Sequence, residues 1–299
     1  MPTRVAWLCI APLLLALGVV AALPLAQVIA YSLTDATLFD PQHARWVGLA
    51  NYLGRSDGAW SGVLADPDWW RAVRNTLSFT LVSVALETVL GLGIALLLDR
   101  PLRGGALLQV AVLVPWAIPT VVSSQIWAWM LDGQSGAINA WLHAAGLLPQ
   151  PLAWTADPRL VLFAITLVDV WKSTPFMALL LLAGLQALPR ECVEAARVDG
   201  VPRWRLFWHV TLPLLRPALA VAVILRTIDA LRVFDIIYVM TGYMPRTASI
   251  SIYAQQRLVG FREVGFGSAA STMVFLLVAL CVFSLLRTGR VHAPGPERT

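Results

Sequence analysis

Lys172 is the single lysine among 22 basic residues. A nucleotide-binding P-loop needs Gly-Lys-Ser/Thr to hold phosphates. Lys172 is followed by Ser173 but preceded by Trp171, inside an apolar run, so the chain has no P-loop. Any ATP that drives it must be bound by another polypeptide. Cysteine is nearly as scarce. Cys9, Cys192 and Cys281 are too few and too scattered for a disulfide framework or a zinc site. His43, His143, His209 and His292 show no metal-ligand spacing. Charged residues make up only 13% of the chain, against about 25% in a soluble domain. The net charge of +5 is spread over loops and helix ends, not gathered on the polar face that nucleic-acid binding requires. No nucleophile–base pair, metal motif or cofactor fingerprint points to an enzyme.

What is present is apolar: 58% of the residues are hydrophobic and the mean hydropathy is +0.72. About 20 such residues in a row cross a bilayer as a helix. Six segments qualify, at roughly Val5–Leu33, Ala72–Leu98, Ala106–Leu131, Leu160–Leu188, Leu212–Met240 and Phe266–Leu286. The first is too long for the core of a cleaved signal and is read as a retained helix. Arginines are modestly biased to one side of these segments, with Arg45, Arg55, Arg71, Arg74, Arg246, Arg257 and Arg262 on the other. Arg4, Arg100, Arg103, Arg190, Arg197, Arg203, Arg205, Arg287, Arg290 and Arg298 define a basic side, which the positive-inside rule assigns to the cytoplasm together with both termini. The opposite loops hold most of the aspartates, Asp57 and Asp132 among them, with Trp46, Trp60, Trp69, Trp70 and Trp154. Tryptophans there mark the membrane interface or cap a pathway. The expectation is an all-α integral membrane protein, a single transmembrane domain over residues 1–299.

Two segments carry charge where lipid is expected. In the fifth, Arg226, Asp229, Arg232 and Asp235 recur every three residues, a spacing that predicts a ladder of ion pairs along one helix. A charge at the bilayer centre costs about 2.5–3.5 kcal/mol, so these four face each other, other helices or a water-filled path. The fourth segment places Asp169 and Lys172 three apart, where they can pair, and adds Trp171 and Pro175. Trp171 is suited to stack on a sugar ring, with packing between helices, the commoner role of a lone tryptophan, as the alternative. Trp171, Lys172, Asp229, Arg232, Asp235 and Tyr238 are the expected lining of a pathway for a hydroxyl-rich solute, with helix-to-helix glue as the alternative role. Glu87 in the second segment has no local partner. Pro115, Pro119 and Ser123-Ser124 predict an irregular third helix.

Between the fourth and fifth segments lies a polar stretch, Pro189 to Thr211. Pro189, then Glu191 and Glu194, favour a helix start. Ala195-Ala196 keeps that helix thin, Gly200 is suited to end it, and Pro202 opens a second short helix with Trp204, Phe207 and Trp208 on one face. The run Glu194-Ala195-Ala196…Asp199-Gly200, with Leu212-Pro213 and Pro217 beyond, resembles the EAA loop of permease subunits of ATP-binding-cassette importers. The resemblance extends to Val168–Phe176, to Arg226–Thr241, to Thr241-Gly242-Tyr243-Met244-Pro245, where Tyr243 departs from the usual glycine, and to Gly265–Ala270. These stretches are similar to the maltose and trehalose class.

The resemblance implies a type I importer fold with six transmembrane helices. It implies that residues of about 189–211 dock on a separate ATPase through Glu194, Ala195, Ala196, Asp199, Gly200, Phe207 and Pro213. It also implies a second homologous permease, a dimer of ATPase subunits carrying ATP and Mg so that this chain needs no cofactor, and an extracytoplasmic sugar-binding protein. The setting is then the plasma (inner) membrane of a prokaryote. The rival is a secondary transporter coupled to ions through Asp169, Asp229 or Asp235, but such folds often show inverted repeats and none is visible.

Overall fold

A computed structural model describes residues 3–40, 44–56, 58–101 and 103–288. His43, Asp57, Arg290, His292 and Arg298 lie outside them. Among the described residues the elements are helices apart from one small antiparallel hairpin, β1 (Gly54–Ser56) with β2 (Ala59–Ser61), in register Arg55 opposite Trp60, and an isolated bridge between Thr34 and Trp46. The helices, in order, are α1 (Thr3–Leu17), α2 (Leu23–Ser32), α3 (Pro67–Leu98), α4 (Gly105–Ala117), α5 (Thr120–Met130), α6 (Ala137–Ala144), α7 (Val161–Gln186), α8 (Arg190–Val198), α9 (Arg203–Leu206), α10 (Leu212–Leu231), α11 (Asp235–Thr241), α12 (Ile250–Gln255) and α13 (Val264–Thr288). Five helices among the described residues are long and apolar enough to cross a membrane, and six do so if the bent pair α4–α5 counts as one span.

Two compact units divide the chain. The first comprises Met1–Val73 and Ile250–Leu277. Here α1 and α2 run on through a π-turn at Gly18–Ala22, so Cys9–Ser32 forms one apolar span. Trp69, Tyr253, Ile250, Ala269 and Ala270 are the core of this unit, with the Trp69 and Tyr253 rings meeting edge to face at 5.5 Å. Asp66 starts α3 by accepting the Asp68 amide at 2.8 Å, an N-terminal cap. It also accepts the Tyr253 hydroxyl at 2.7 Å and pairs with Arg257. Burial first, and then this bond to Asp66, push the Tyr253 hydroxyl well above the usual phenol range, so it remains a donor.

The second unit comprises Arg74–Ser249 and Val278–Thr299. α4 and α10 pack along α7, and α11 packs on α5. Ala95, Met177, Leu181, Leu185, Leu215 and Ala222 form the core where α3, α7 and α10 meet. A Cβ on Gly184 would stand 2.6 Å from that of Ala218, so the bare glycine lets α7 and α10 touch, as small residues do between membrane helices.

Two expected single helices are broken. Ala106–Leu131 is α4 plus α5, bent by 86°. Pro119 follows the bend, and Ile118 takes the extended conformation (φ −72°, ψ 133°) that a residue before proline prefers. Leu212–Met240 is α10 plus α11, parted at Arg232–Phe234, with Phe234 at φ −138°, ψ −65°. The other end of the fifth span is longer than expected. α9 is not a separate short helix but joins α10 through a π-turn at Phe207–Thr211, giving one span over Arg203–Leu231.

Candidate functional site

The two breaks face one space. A cavity of about 470 Å³ is lined by residues 116–120 at the α4–α5 bend, 232–236 at the α10–α11 break, Asp169, Lys172 and Ser173 of α7, and Arg226 and Asp229 of α10. Irregular backbone at membrane depth is tolerated where it lines such a cavity. At each break a side chain caps one carbonyl: Lys172 Nζ donates to Ile118 O at 2.6 Å, and Ser249 Oγ to Val233 O at 2.7 Å. Trp116 and Phe234 supply aromatic surface, each backed by a stacked ring, Phe176 at 5.9 Å and Tyr238 at 5.2 Å.

Arg226 borders the cavity yet is only 2% exposed. Its guanidinium crosses from α10 to two other helices. Nε and Nη2 bind Glu87 of α3 at 2.5 and 2.9 Å, Nη2 also binds Asp169 of α7 at 2.5 Å, and Nη1 reaches Asp229 at 3.0 Å. The planar fork of arginine allows this many directed bonds. The expected Asp169–Lys172 pair is therefore not formed, because Arg226 takes Asp169 and Lys172 turns to the Ile118 carbonyl. Of the expected ladder only the rung Arg226–Asp229 exists. The helix ends at Leu231, so Arg232 and Asp235 fall beyond the helical spacing and make no ion pair with a described residue. Glu87, without a local partner, has a distant one.

Of the six residues expected to line a pathway, Lys172, Asp229, Arg232 and Asp235 border the cavity. Trp171 and Tyr238 do not. Trp171 packs edge to face on Trp127 at 5.3 Å, and Tyr238 stands behind Phe234. Sequence reasoning passed over Trp116 and Phe234 as lining. Their signal was position, since each sits within three residues of a helix break. The cavity wall carries three carboxylates (Asp169, Asp229, Asp235) against three cations (Lys172, Arg226, Arg232).

The second expected site is the elbow after α7. α8 opens directly after Pro189 and closes at Gly200, whose φ is +72°. The Val201 amide donates to the Ala196 carbonyl at 3.1 Å, the long bond of a Schellman end. Glu194, Ala195 and Asp199 are exposed, Ala196, Phe207 and Pro213 half-buried. A groove of about 630 Å³ runs along the turn, bordered by Arg100, Gly200, Pro202, Arg203 and Leu206.

Apolar spans, helices broken around a charged cavity and a polar elbow between two spans define a membrane permease. Two solved structures of a bacterial alginate ABC transporter contain chains of this fold. One, in complex with an alginate pentasaccharide-bound periplasmic protein, matches with TM-score 0.78 and 19% identity over 96% of this chain and 94% of that one. The other gives 0.80 over 97% and 96%. The chain belongs to the family described as binding-protein-dependent transport system inner membrane component, whose model matches residues 87–291. It is 44% identical to the trehalose/maltose transport system permease protein MalF of Thermococcus litoralis, over 96% of this chain and 94% of that protein. It is 39% identical to the trehalose transport system permease protein SugA of Mycobacterium tuberculosis, over 98% and 91%. The protein is thus an ABC importer permease of the inner membrane, a transport subunit and not an enzyme.

Proposed function

We propose that the chain forms half of the path by which a neutral disaccharide of the trehalose or maltose kind enters the cell. The cavity between the two breaks carries this reading. Its volume of about 470 Å³ lies within the usual range for small-molecule sites. Its exposed donors and acceptors suit hydroxyl groups, and its ring faces suit the C–H surface of a sugar. Equal numbers of cations and carboxylates on the wall favour an uncharged solute over an acidic one. The names of the two relatives support the same substrate class. A second, homologous permease subunit supplies the other half of the path. Residues 189–211 dock on one subunit of an ATPase dimer, which holds the ATP and Mg, and an extracytoplasmic binding protein delivers the sugar. Both termini are cytoplasmic. Nucleotide binding favours one state of the ATPase dimer, and the docked elbow carries that bias to the helices.

The test is uptake of radiolabelled trehalose and maltose into liposomes holding the whole assembly. Uptake that needs ATP and stops with a hydrolysis-dead ATPase is the expected result. Uptake that continues with the dead ATPase overturns the division of labour, and uptake of neither disaccharide overturns the substrate class.

Asp235 is exposed on the cavity wall, so water can solvate what its loss leaves behind. Asp235→Asn is expected to co-purify normally with its partners and to lower sugar flux about tenfold, the weight of one hydrogen bond to a charged group. Full assembly with unchanged flux removes Asp235 from the path.

A further inference from the structure

Both helix breaks leave a carbonyl without its helical partner, and each is closed by a side chain from elsewhere in the chain. Ile118 O receives Lys172, 54 residues away, and Val233 O receives Ser249, 16 residues away. Pro119 explains why the helix stops at Ala117, since it lacks an N–H and disfavours helical backbone at Ile118. It does not explain the angle. The extended Ile118 carries no helical hydrogen bond across the joint, and the two arms pack chiefly on different helices, α4 on α7 and α5 on α11, so the joint itself is left to be tied.

Lys172 supplies what proline does not. Its side chain is buried, 8% exposed, on the helix that packs against α4. It makes no ion pair with a described residue, and its ammonium bonds the carbonyl just past the last residue of α4. A cation is favoured there, because the C-terminal end of a helix carries partial negative charge. The geometry points to Lys172 as a positioning residue: it sets the α4–α5 angle, and so places Trp116 and Thr120 on the cavity wall, and it is not a direct ligand of the solute. This deepens the proposed sugar path and rests on it only for the transport arm of the test.

The distance arm needs no sugar. Val110 in α4 and Trp129 in α5 are 61% and 69% exposed. Both are changed to cysteine and spin-labelled, with Cys9, Cys192 and Cys281 replaced by serine, in the complete transporter in liposomes. From the helical rise, arms meeting at 86° put these positions about 20 Å apart, and a straight helix about 28 Å. The native chain and Lys172→Arg are expected to give a narrow distribution near the shorter value. Lys172→Met is expected to broaden it toward the longer one. In parallel, Lys172→Met should raise the sugar KM about tenfold, leave the maximal rate within a factor of about two, and be rescued by Lys172→Arg. A native-width distribution in Lys172→Met overturns the proposal, even if KM rises, since that combination marks a direct ligand. If Lys172→Met does not assemble, Lys172→Gln, which keeps a donor on a shorter arm, carries the same two readings. A failure of sugar uptake in the native transporter would sink the proposed substrate and leave the distance result standing.

Discussion

Arg226→Leu is expected to abolish recovery of the assembled transporter. The substitution removes the one cation shared by Glu87, Asp169 and Asp229. Glu87 is fully buried and Asp169 nearly so, so both are left with uncompensated charge away from water. Breaking a buried pair in this way typically costs about 3–5 kcal/mol, a large share of the whole stability of a domain. Asp229 adds little to that cost, because its side chain is 78% exposed. The measurement is co-purification of the partner subunits with this chain, set beside thermal unfolding in detergent. Removing the carboxylates as well, in Arg226→Leu with Glu87→Leu and Asp169→Leu, should restore much of the yield, since apolar replacements of a whole buried cluster are often neutral. Recovery of Arg226→Leu at native yield would show that the cluster is not what ties α3, α7 and α10 together.

The second large effect is expected at Gly200. A Cβ there meets nothing within 4 Å, so space is not the constraint. The constraint is φ of +72°, which costs an L-residue about 1–2 kcal/mol and a β-branched one the most. Gly200→Val should therefore assemble in the membrane yet lose roughly tenfold or more of its sugar-stimulated ATP hydrolysis and transport, as the α8 elbow leaves its place. Gly200→Asn, which tolerates left-handed backbone, should keep most of both. Equal activity in the two variants would mean that the turn geometry does not matter for coupling.

These two positions also mark how far the sequence alone could be read. The elbow was legible because its causes are local: Pro189, the alanines, Gly200 and Pro202 lie within 14 residues and each acts on its own backbone. The long apolar spans were legible for the same reason. The Arg226 cluster was not, since its strongest partner is 139 residues away and helical spacing suggested Asp229, Arg232 and Asp235 instead. Pro119 announced an irregularity but not an 86° bend, which depends on a side chain from α7. The break at Arg232–Phe234 contains neither proline nor glycine. It is held by Ser249 on the Val233 carbonyl and by Asp235 in the first turn of α11, and no local pattern gives that away. Trp171 lies outside this cavity for a related reason: an aromatic beside charged residues suits a solute or a neighbouring tryptophan, and here its ring meets Trp127.

The chain order of the cluster bears on how the protein is made. Glu87 leaves the ribosome 139 residues before Arg226, and Asp169 leaves 57 before it. At about 5–20 residues per second, α3 waits roughly ten seconds for its counter-ion. During that interval a lone carboxylate at the bilayer centre would cost about 2.5–3.5 kcal/mol. In that interval Glu87 on α3 has no basic residue within a helical turn, and Asp169 on α7 has only Lys172 within reach. Synthesis of α10 brings the one arginine that joins the two helices.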